Sequence, residues 1–88
     1  MKVTPNPWDG NGYLELFLKK EGLVRISVTD VMGNKVSNDF EEAMSYGYHK
    51  IPARSLISSE QSLAQGMYLF IMTVDGQYAG SEKVVVIR

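Results

Sequence analysis

Hydrophobic and polar residues alternate along much of this chain, with the period of two that is typical of half-buried β-strands. In the segment 13–18 every second residue is Leu, starting at Leu14. In the segment 23–30, the apolar residues Val24, Ile26 and Val28 alternate with polar residues. Both patterns predict strands that turn one face towards a core.

The last third of the chain predicts a β-hairpin. Met67 to Val74 is an apolar run interrupted only by Thr73, and Asp75-Gly76 follows it. Asp-Gly is a strong hairpin signal, because a type I′ turn needs positive φ at both central residues. The segment 83–88 is then predicted to be a strand, because Val84 to Ile87 are all β-branched and suit a pleated sheet. We expect 67–74 to be a central strand.

Details of this hairpin also follow from its sequence. Gly80-Ser81 allows a bend or a bulge, because glycine leaves the strand backbone free to kink. Tyr68, Phe70 and Val85 are predicted to be buried. So apolar a hairpin is not stable alone in water, and the rest of the chain must supply the layer that covers it.

Shorter elements fill the rest of the chain. We predict strands at 2–4, 35–37 and 49–52, the last at a sheet edge because of Pro52. Gly22 ends a charged turn, Lys19 to Gly22, where the left-handed conformation favours glycine. The segment 38–45 fits a helix or a strand that crosses to the other sheet. About seven short strands with turn residues between them predict an all-β fold, a two-sheet antiparallel sandwich.

Composition narrows the classes of function. The chain of 88 residues fits one domain, and its net charge of -1 gives no basic surface for nucleic acid or anionic membrane. It has no cysteine, which excludes disulfides, thiolate zinc sites and a cysteine nucleophile. No apolar run approaches the ~20 residues of a membrane-spanning helix, and the start lacks a secretory signal peptide. If the protein is exported, we expect this sequence to be a fragment or to carry its address elsewhere.

Candidate catalytic and metal-binding residues are few. His49 is the single histidine, and we interpret it as a hydrogen-bonded strand residue rather than a catalytic base or zinc ligand. The loop Asp9 to Gly12 is interpreted as a surface turn, with a weak calcium site as the lesser alternative, because its spacing differs from a calcium loop. Glu41 and Glu42 would point to opposite faces of a strand and cannot form an acid/base pair. We therefore expect no enzyme activity, cofactor or metal.

A succession of motifs resembles the C-terminal sorting domain of the type IX (Por) secretion system. The resemblance covers Val3 to Arg88 and rests on the order of the motifs, from the opening Pro-Asn-Pro to the last motif at the chain end, since each motif alone is weak. Position 34 departs from the family, since it is Asn where a basic residue is common. The matching residues are Pro5, Asn6, Pro7, Leu14, Leu16, Leu18, Val24, Ile26, Val28, Asp30, Gly33, Val36, Gly47, His49, Ile51, Leu63, Gly66, Tyr68, Lys83, Val84, Val85, Val86 and Arg88.

The resemblance implies an immunoglobulin-like sandwich over 1–88, at the end of a larger exported protein whose N-terminal part is the cargo. It also implies recognition by the outer-membrane translocon and removal by a sortase-like peptidase, which attaches the cargo to surface lipopolysaccharide. The domain would pass through the periplasm to the cell surface, with no membrane insertion of its own. The residues expected to be read by the translocon are Lys83, Val84, Val85, Val86, Ile87 and Arg88.

A different class of function remains open. An immunoglobulin-like accessory module would space or bind carbohydrate beside an exported enzyme. Such a module needs an exposed aromatic platform, and the candidates in the sequence are Trp8, Tyr46 and Tyr48.

Overall fold

Seven β-strands make up the fold in a computed structural model that describes residues 1–4, 6–7, 11–37, 40–57 and 64–87. A short 3₁₀ helix, Ala53–Leu56, lies between the fifth and sixth strands. The strands are β1 Lys2–Thr4, β2 Tyr13–Leu18, β3 Gly22–Asp30, β4 Phe40–Met44, β5 Gly47–Pro52, β6 Gly66–Val74 and β7 Gln77–Val86.

Two antiparallel sheets form the sandwich. The first has the order β1-β2-β5 and the second the order β4-β3-β6-β7. In immunoglobulin-like sandwiches the third, sixth and seventh strands likewise share a sheet opposite the second and fifth. The predicted immunoglobulin-like antiparallel sandwich of about seven strands is therefore confirmed. The predicted central position of 67–74 and edge position of Pro52 are also confirmed, because β6 is an interior strand and β5 an edge strand.

The core lies between the sheets and is formed by the predicted alternation. Leucines of β2 face the Val and Ile residues of β3, and Phe70 of β6 is completely buried among them. The 3₁₀ helix closes one part of the core with Leu56 and Ala53. The buried residues form one apolar cluster: Val3, Leu14, Leu16, Leu18, Val24, Ile26, Val28, Met44, Ile51, Ala53, Leu56, Ile57, Tyr68, Phe70, Met72, Val84 and Val86.

The β6–β7 hairpin has the predicted turn and one bulge. Asp75 and Gly76 both have positive φ, 51° and 82°, as a type I′ turn requires. Thr73 pairs with Tyr78 while Met72 pairs with Gly80, so Ala79 is the extra residue of a bulge. The irregularity thus lies one residue before the Gly80-Ser81 step that the sequence indicated.

Other sequence predictions need correction. Gly22 is the first residue of β3 and its φ is not positive, so it is not the left-handed residue of a turn. The segment 40–44 is a strand rather than a helix, and it stays in the sheet of β3 instead of crossing. The segment 35–37 forms only isolated bridges, from Lys35 to Thr29 and from Ser37 to Ile57.

No helix in the described ranges is long and apolar enough to cross a membrane.

Candidate functional site

The terminal strand β7 alternates between a buried and an exposed face. Val84 and Val86 are buried against β6, whereas Lys83, Val85 and Ile87 are exposed. Val85 is 38% exposed, so the prediction that it belongs to the core is wrong. The predictions for Tyr68 and Phe70 are confirmed, because both are buried. Arg88 lies outside the described residues.

The exposed face of β7 continues into a shallow apolar groove. Met67 of β6 pairs directly with Val85 and is also exposed. Beside this pair, a groove of about 340 Å³ is lined by the 29–33 turn, residues 67–69 and Lys83. Gly33, Tyr68 and Lys83, which lie far apart in the sequence, therefore meet at one surface. We call Val31, Met67, Val85 and Ile87, which are all exposed, the apolar patch.

The turn beside this groove is held by Asp30. The Asp30 carboxylate accepts hydrogen bonds from the backbone N–H groups of Met32 and Asn34, both at 2.9 Å. Gly33 has a φ of 85°, a conformation that favours glycine. The Asn34 backbone bond, followed by those of its side chain and of the Met32 and Gly33 N–H groups, holds the pKa of Asp30 below its ordinary value. Gly33 thus has a structural role in positioning the groove.

The N-terminal Pro-Asn-Pro motif contacts the same terminal strand. The Asn6 side chain donates from Nδ2 to the Lys83 carbonyl at 3.1 Å. Its Oδ1 accepts from the Val85 N–H at 3.2 Å. Asn6 is joined by a cis peptide bond to Pro7, while Pro5 lies outside the described residues. The opening and closing motifs of the predicted sorting signal therefore meet in space.

A second hydrogen bond joins β7 to β1, and here β7 supplies the side chain and β1 the backbone group. The Val3 backbone N–H of β1 donates to the carboxylate of Glu82 on β7. Each of these two edge regions therefore offers backbone groups to a side chain from the other. This pairing could not be predicted from the sequence, because 79 residues separate the partners.

The remaining motif residues support the hairpin. Gly66 begins β6 and pairs with Val86, so it lies opposite the end of the terminal strand. Tyr68 is buried and its hydroxyl donates to the Ala64 carbonyl at 2.8 Å. Leu63, predicted to be an anchor of the preceding connection, lies outside the described residues.

A separate group of exposed aromatic residues lies on the other sheet. Tyr46 and Tyr48 are 67% and 61% exposed, and Phe17 lies directly across from Tyr48 in the β2–β5 pair. The Phe17 and Tyr46 rings meet edge to face, with centroids 5.6 Å apart. Phe17 was missed as a platform residue, although its position between the inward leucines of β2 places it on the outer face. Trp8, the third predicted candidate, lies outside the described residues.

Polar groups border these aromatic residues. The Glu15 side chain accepts a hydrogen bond from the Tyr48 hydroxyl, which raises the pKa of Tyr48. Lys50 Nζ lies 4.3 Å from the centre of the Tyr13 ring, a cation–π arrangement that already covers one face of that ring. We call Phe17, Tyr46 and Tyr48 the aromatic cluster.

The other candidate residues occupy ordinary surface positions. His49 Nε2 donates to the Ser45 carbonyl at 2.8 Å, in agreement with a hydrogen-bonded strand histidine. Glu41 forms an ion pair with Arg25 at 2.6 Å, and both side chains are largely exposed. Among the described residues, no three His, Cys, Asp or Glu side chains are grouped so that they could hold a metal ion. Asp9 and Gly10 of the predicted surface turn lie outside those residues.

Comparison with protein-family models, curated proteins and solved structures finds no match to this chain.

Proposed function

We propose that this chain is a C-terminal sorting domain, which directs an attached cargo through the type IX outer-membrane translocon. The observation that carries the proposal is the position of the terminal strand. Its Lys83 to Ile87 part lies at a sheet edge, with Lys83, Val85 and Ile87 exposed beside the apolar groove. A partner can read such a strand through its backbone and through alternate side chains.

The alternation of β7 divides the proposed signal into two roles. Val84 and Val86 are buried, so they hold the strand on the sandwich. Lys83, Val85 and Ile87 project to solvent, and Arg88 would follow them at the end of the sequence. Recognition by the translocon is assigned to the outward side chains of Lys83, Val85 and Ile87 and to the outer backbone edge of β7. After translocation, a sortase-like peptidase would remove the domain and attach the cargo to the cell surface.

The test changes the two charged residues of the proposed signal, Lys83 and Arg88, and measures folding separately from export. A reporter cargo with a signal peptide is fused to the chain in a bacterium that has a type IX system. Lys83 is exposed, and exposed substitutions usually change stability by no more than ~0.5 kcal/mol. We expect the double substitution Lys83→Ala and Arg88→Ala to leave the domain folded, which circular dichroism of the purified variant checks. We also expect the cargo to accumulate in the periplasm instead of reaching the surface.

A matched control uses the exposed lysines of the β2–β3 turn. Lys19→Ala with Lys20→Ala removes the same side-chain type from an exposed site outside the terminal strand. This fusion should be exported like wild type. Normal export of both the Lys83/Arg88 variant and a variant lacking the last residues would contradict the proposal.

The aromatic cluster favours a second candidate function, a carbohydrate-binding accessory module. Exposed aromatic side chains beside Glu15 and Lys50 offer both apolar ring faces and hydrogen-bonding groups to a sugar. Affinity electrophoresis through gels containing soluble polysaccharides tests it directly. Retardation that is lost on Tyr46→Ala with Tyr48→Ala, but kept on Lys83→Ala, would favour this candidate.

A further inference from the structure

The outer edge of β7 carries an unusual pair of hydrogen bonds. β7 pairs with β6 on one side and is the last strand of its sheet. On the other side, the Lys83 carbonyl and the Val85 N–H point away from β6 towards the Asn6 amide. These two groups belong to the row of donors and acceptors that an edge strand leaves open for pairing with another chain.

The Asn6 side chain reproduces one residue of an added strand. A residue of a parallel strand placed opposite Val84 would donate its N–H to the Lys83 carbonyl and accept from the Val85 N–H. The Asn6 amide does both, at 3.1 and 3.2 Å. It therefore satisfies the edge chemically and also occupies the space where the first pairing of an incoming strand would form.

The neighbouring edge is protected in the same manner. The Val3 N–H of β1 donates to the Glu82 carboxylate, so the margin of the sandwich between β1 and β7 is closed by side chains. The Asn6 bonds are exposed, so water can replace them. Exposed hydrogen bonds add little net stability, because the groups also bond to water when they separate. Such a closure is reversible.

We propose that the outer edge of β7 at Lys83 to Val85 is a docking edge for an extended segment of a partner protein. Asn6 acts as a latch that must leave this edge before the segment pairs with it. This inference rests on the proposed function only for the identity of the partner, which would be the translocon. The side chains of Lys83 and Val85, exposed along the same edge, would add specificity to the backbone pairing.

The latch is tested on the isolated chain with a synthetic strand. The probe is a fluorescein-labelled peptide that copies residues 77–87, and its binding is measured by fluorescence anisotropy. Asn6→Ala removes both latch bonds and should bind the peptide about tenfold more tightly than wild type, which corresponds to about 1.4 kcal/mol. Gln77→Ala, an exposed amide at the other end of β7, should bind like wild type.

The docking edge itself is tested with Val85→Pro. Proline removes the Val85 N–H, which points away from β6, and proline is tolerated in edge strands when its position needs no ladder donor. Adding Val85→Pro to Asn6→Ala should abolish the gain in peptide affinity. Val84→Pro is the matched control for the opposite strand edge and should unfold the hairpin, because Val84 is buried in the β6–β7 pair.

Amide hydrogen exchange tests the latch without a peptide. In Asn6→Ala the Val85 amide should exchange about tenfold faster than in wild type, while the Met72 amide in the interior strand β6 stays protected. Unchanged peptide affinity and unchanged Val85 exchange in Asn6→Ala would overturn the latch, even if Val85→Pro fails to fold. Tighter peptide binding together with normal export of Val85→Pro fusions would support the docking edge but contradict its use by the translocon.

Discussion

Gly22 gives the sharpest test of the packing, because its role differs from the one that the sequence suggested. A methyl group at this position would lie 2.6 Å from Val74 Cγ1 and 2.9 Å from Asp75 Oδ2. Val74 is β-branched and rotates with difficulty. The Asp75 carboxylate cannot move freely either, since its Oδ1 accepts from the Leu23 N–H at 2.8 Å. Gly22→Ala therefore forces the β6–β7 turn away from β3.

The expected cost has three parts. Overpacking one methyl group into a tight site costs ~1–3 kcal/mol. Weakening the Asp75–Leu23 hydrogen bond adds ~0.5–1.5 kcal/mol. Against these, the lower entropy of the unfolded chain favours alanine by ~0.4–1 kcal/mol. The net loss is ~0.5–4 kcal/mol, with a central value of ~2 kcal/mol. For a domain of this size each kcal/mol lowers Tm by about 4–8 °C, so the central value corresponds to a fall in Tm of about 8–16 °C.

The assay is thermal unfolding followed by circular dichroism, with Gly80→Ala as the matched control. A methyl group at Gly80 meets no heavy atom within 4 Å, so Gly80→Ala should be neutral or slightly stabilising. Gly22→Asn distinguishes the two possible reasons for glycine at this position, which are close packing and a left-handed backbone conformation. Asparagine is tolerated in the left-handed region but is larger than alanine. Equal Tm values for Gly22→Ala and Gly80→Ala, or a Gly22→Asn variant more stable than Gly22→Ala, would refute the close-packing argument.

Three further substitutions test the core and the two residues whose pKa is shifted, Asp30 and Tyr48. Phe70→Ala should lower the free energy of unfolding, measured in urea, by ~3–5 kcal/mol, whereas Val85→Ala at an exposed position should lower it far less. An unchanged urea midpoint for Phe70→Ala would show that this face of β6 is not part of the core. Because the pKa of Asp30 is lowered, its contribution to stability is present above pH 3.8 and is lost as pH falls through the lowered value. Asp30→Ala should therefore lower Tm at pH 7 and leave Tm unchanged in strong acid. Because the pKa of Tyr48 is raised, its bond to Glu15 stabilises the fold below pH 10.0, and this stabilisation is lost as pH rises through the raised value. Tyr48→Phe should therefore reduce the fall of Tm with pH above pH 10.0. Parallel pH profiles of variant and wild type would contradict either titration argument.

Strands with one buried face could be predicted from the sequence. The leucines of β2 and the Val and Ile residues of β3 alternate because each sheet has a core side and a solvent side. β4 gave no such signal. Met44 is the one buried residue of β4 and residues 41–43 are exposed, so the pairing of β4 with β3 leaves no alternating pattern in the sequence. A segment held in a sheet mainly by its backbone cannot be told from a short helix by its pattern.

The prediction of which residues of the terminal strand are buried failed for the opposite reason. Val84 to Ile87 are all apolar, so the sequence does not say which of them face the core. The structure buries Val84 and Val86 and exposes Val85. A run of β-branched residues fits a strand covered on both faces, yet here one face is open beside Met67. The surplus apolar residues form the apolar patch, which hydrophobic patterning alone would have assigned to the core.

The two margins of the sandwich are closed by different means. On one margin β4 and β5, edge strands of opposite sheets, are joined by the two-residue connection Ser45-Tyr46, which makes that closure covalent. On the other margin β1 and β7 are joined through the Asn6 and Glu82 side chains. The Val3–Glu82 bond is partly buried, but the two Asn6 bonds are exposed, and these are the bonds that must break for a strand to pair with Lys83 and Val85. If a partner adds a strand to this domain, the physical cost is therefore lowest at β7, the strand that also carries the exposed Lys83 and Val85 side chains.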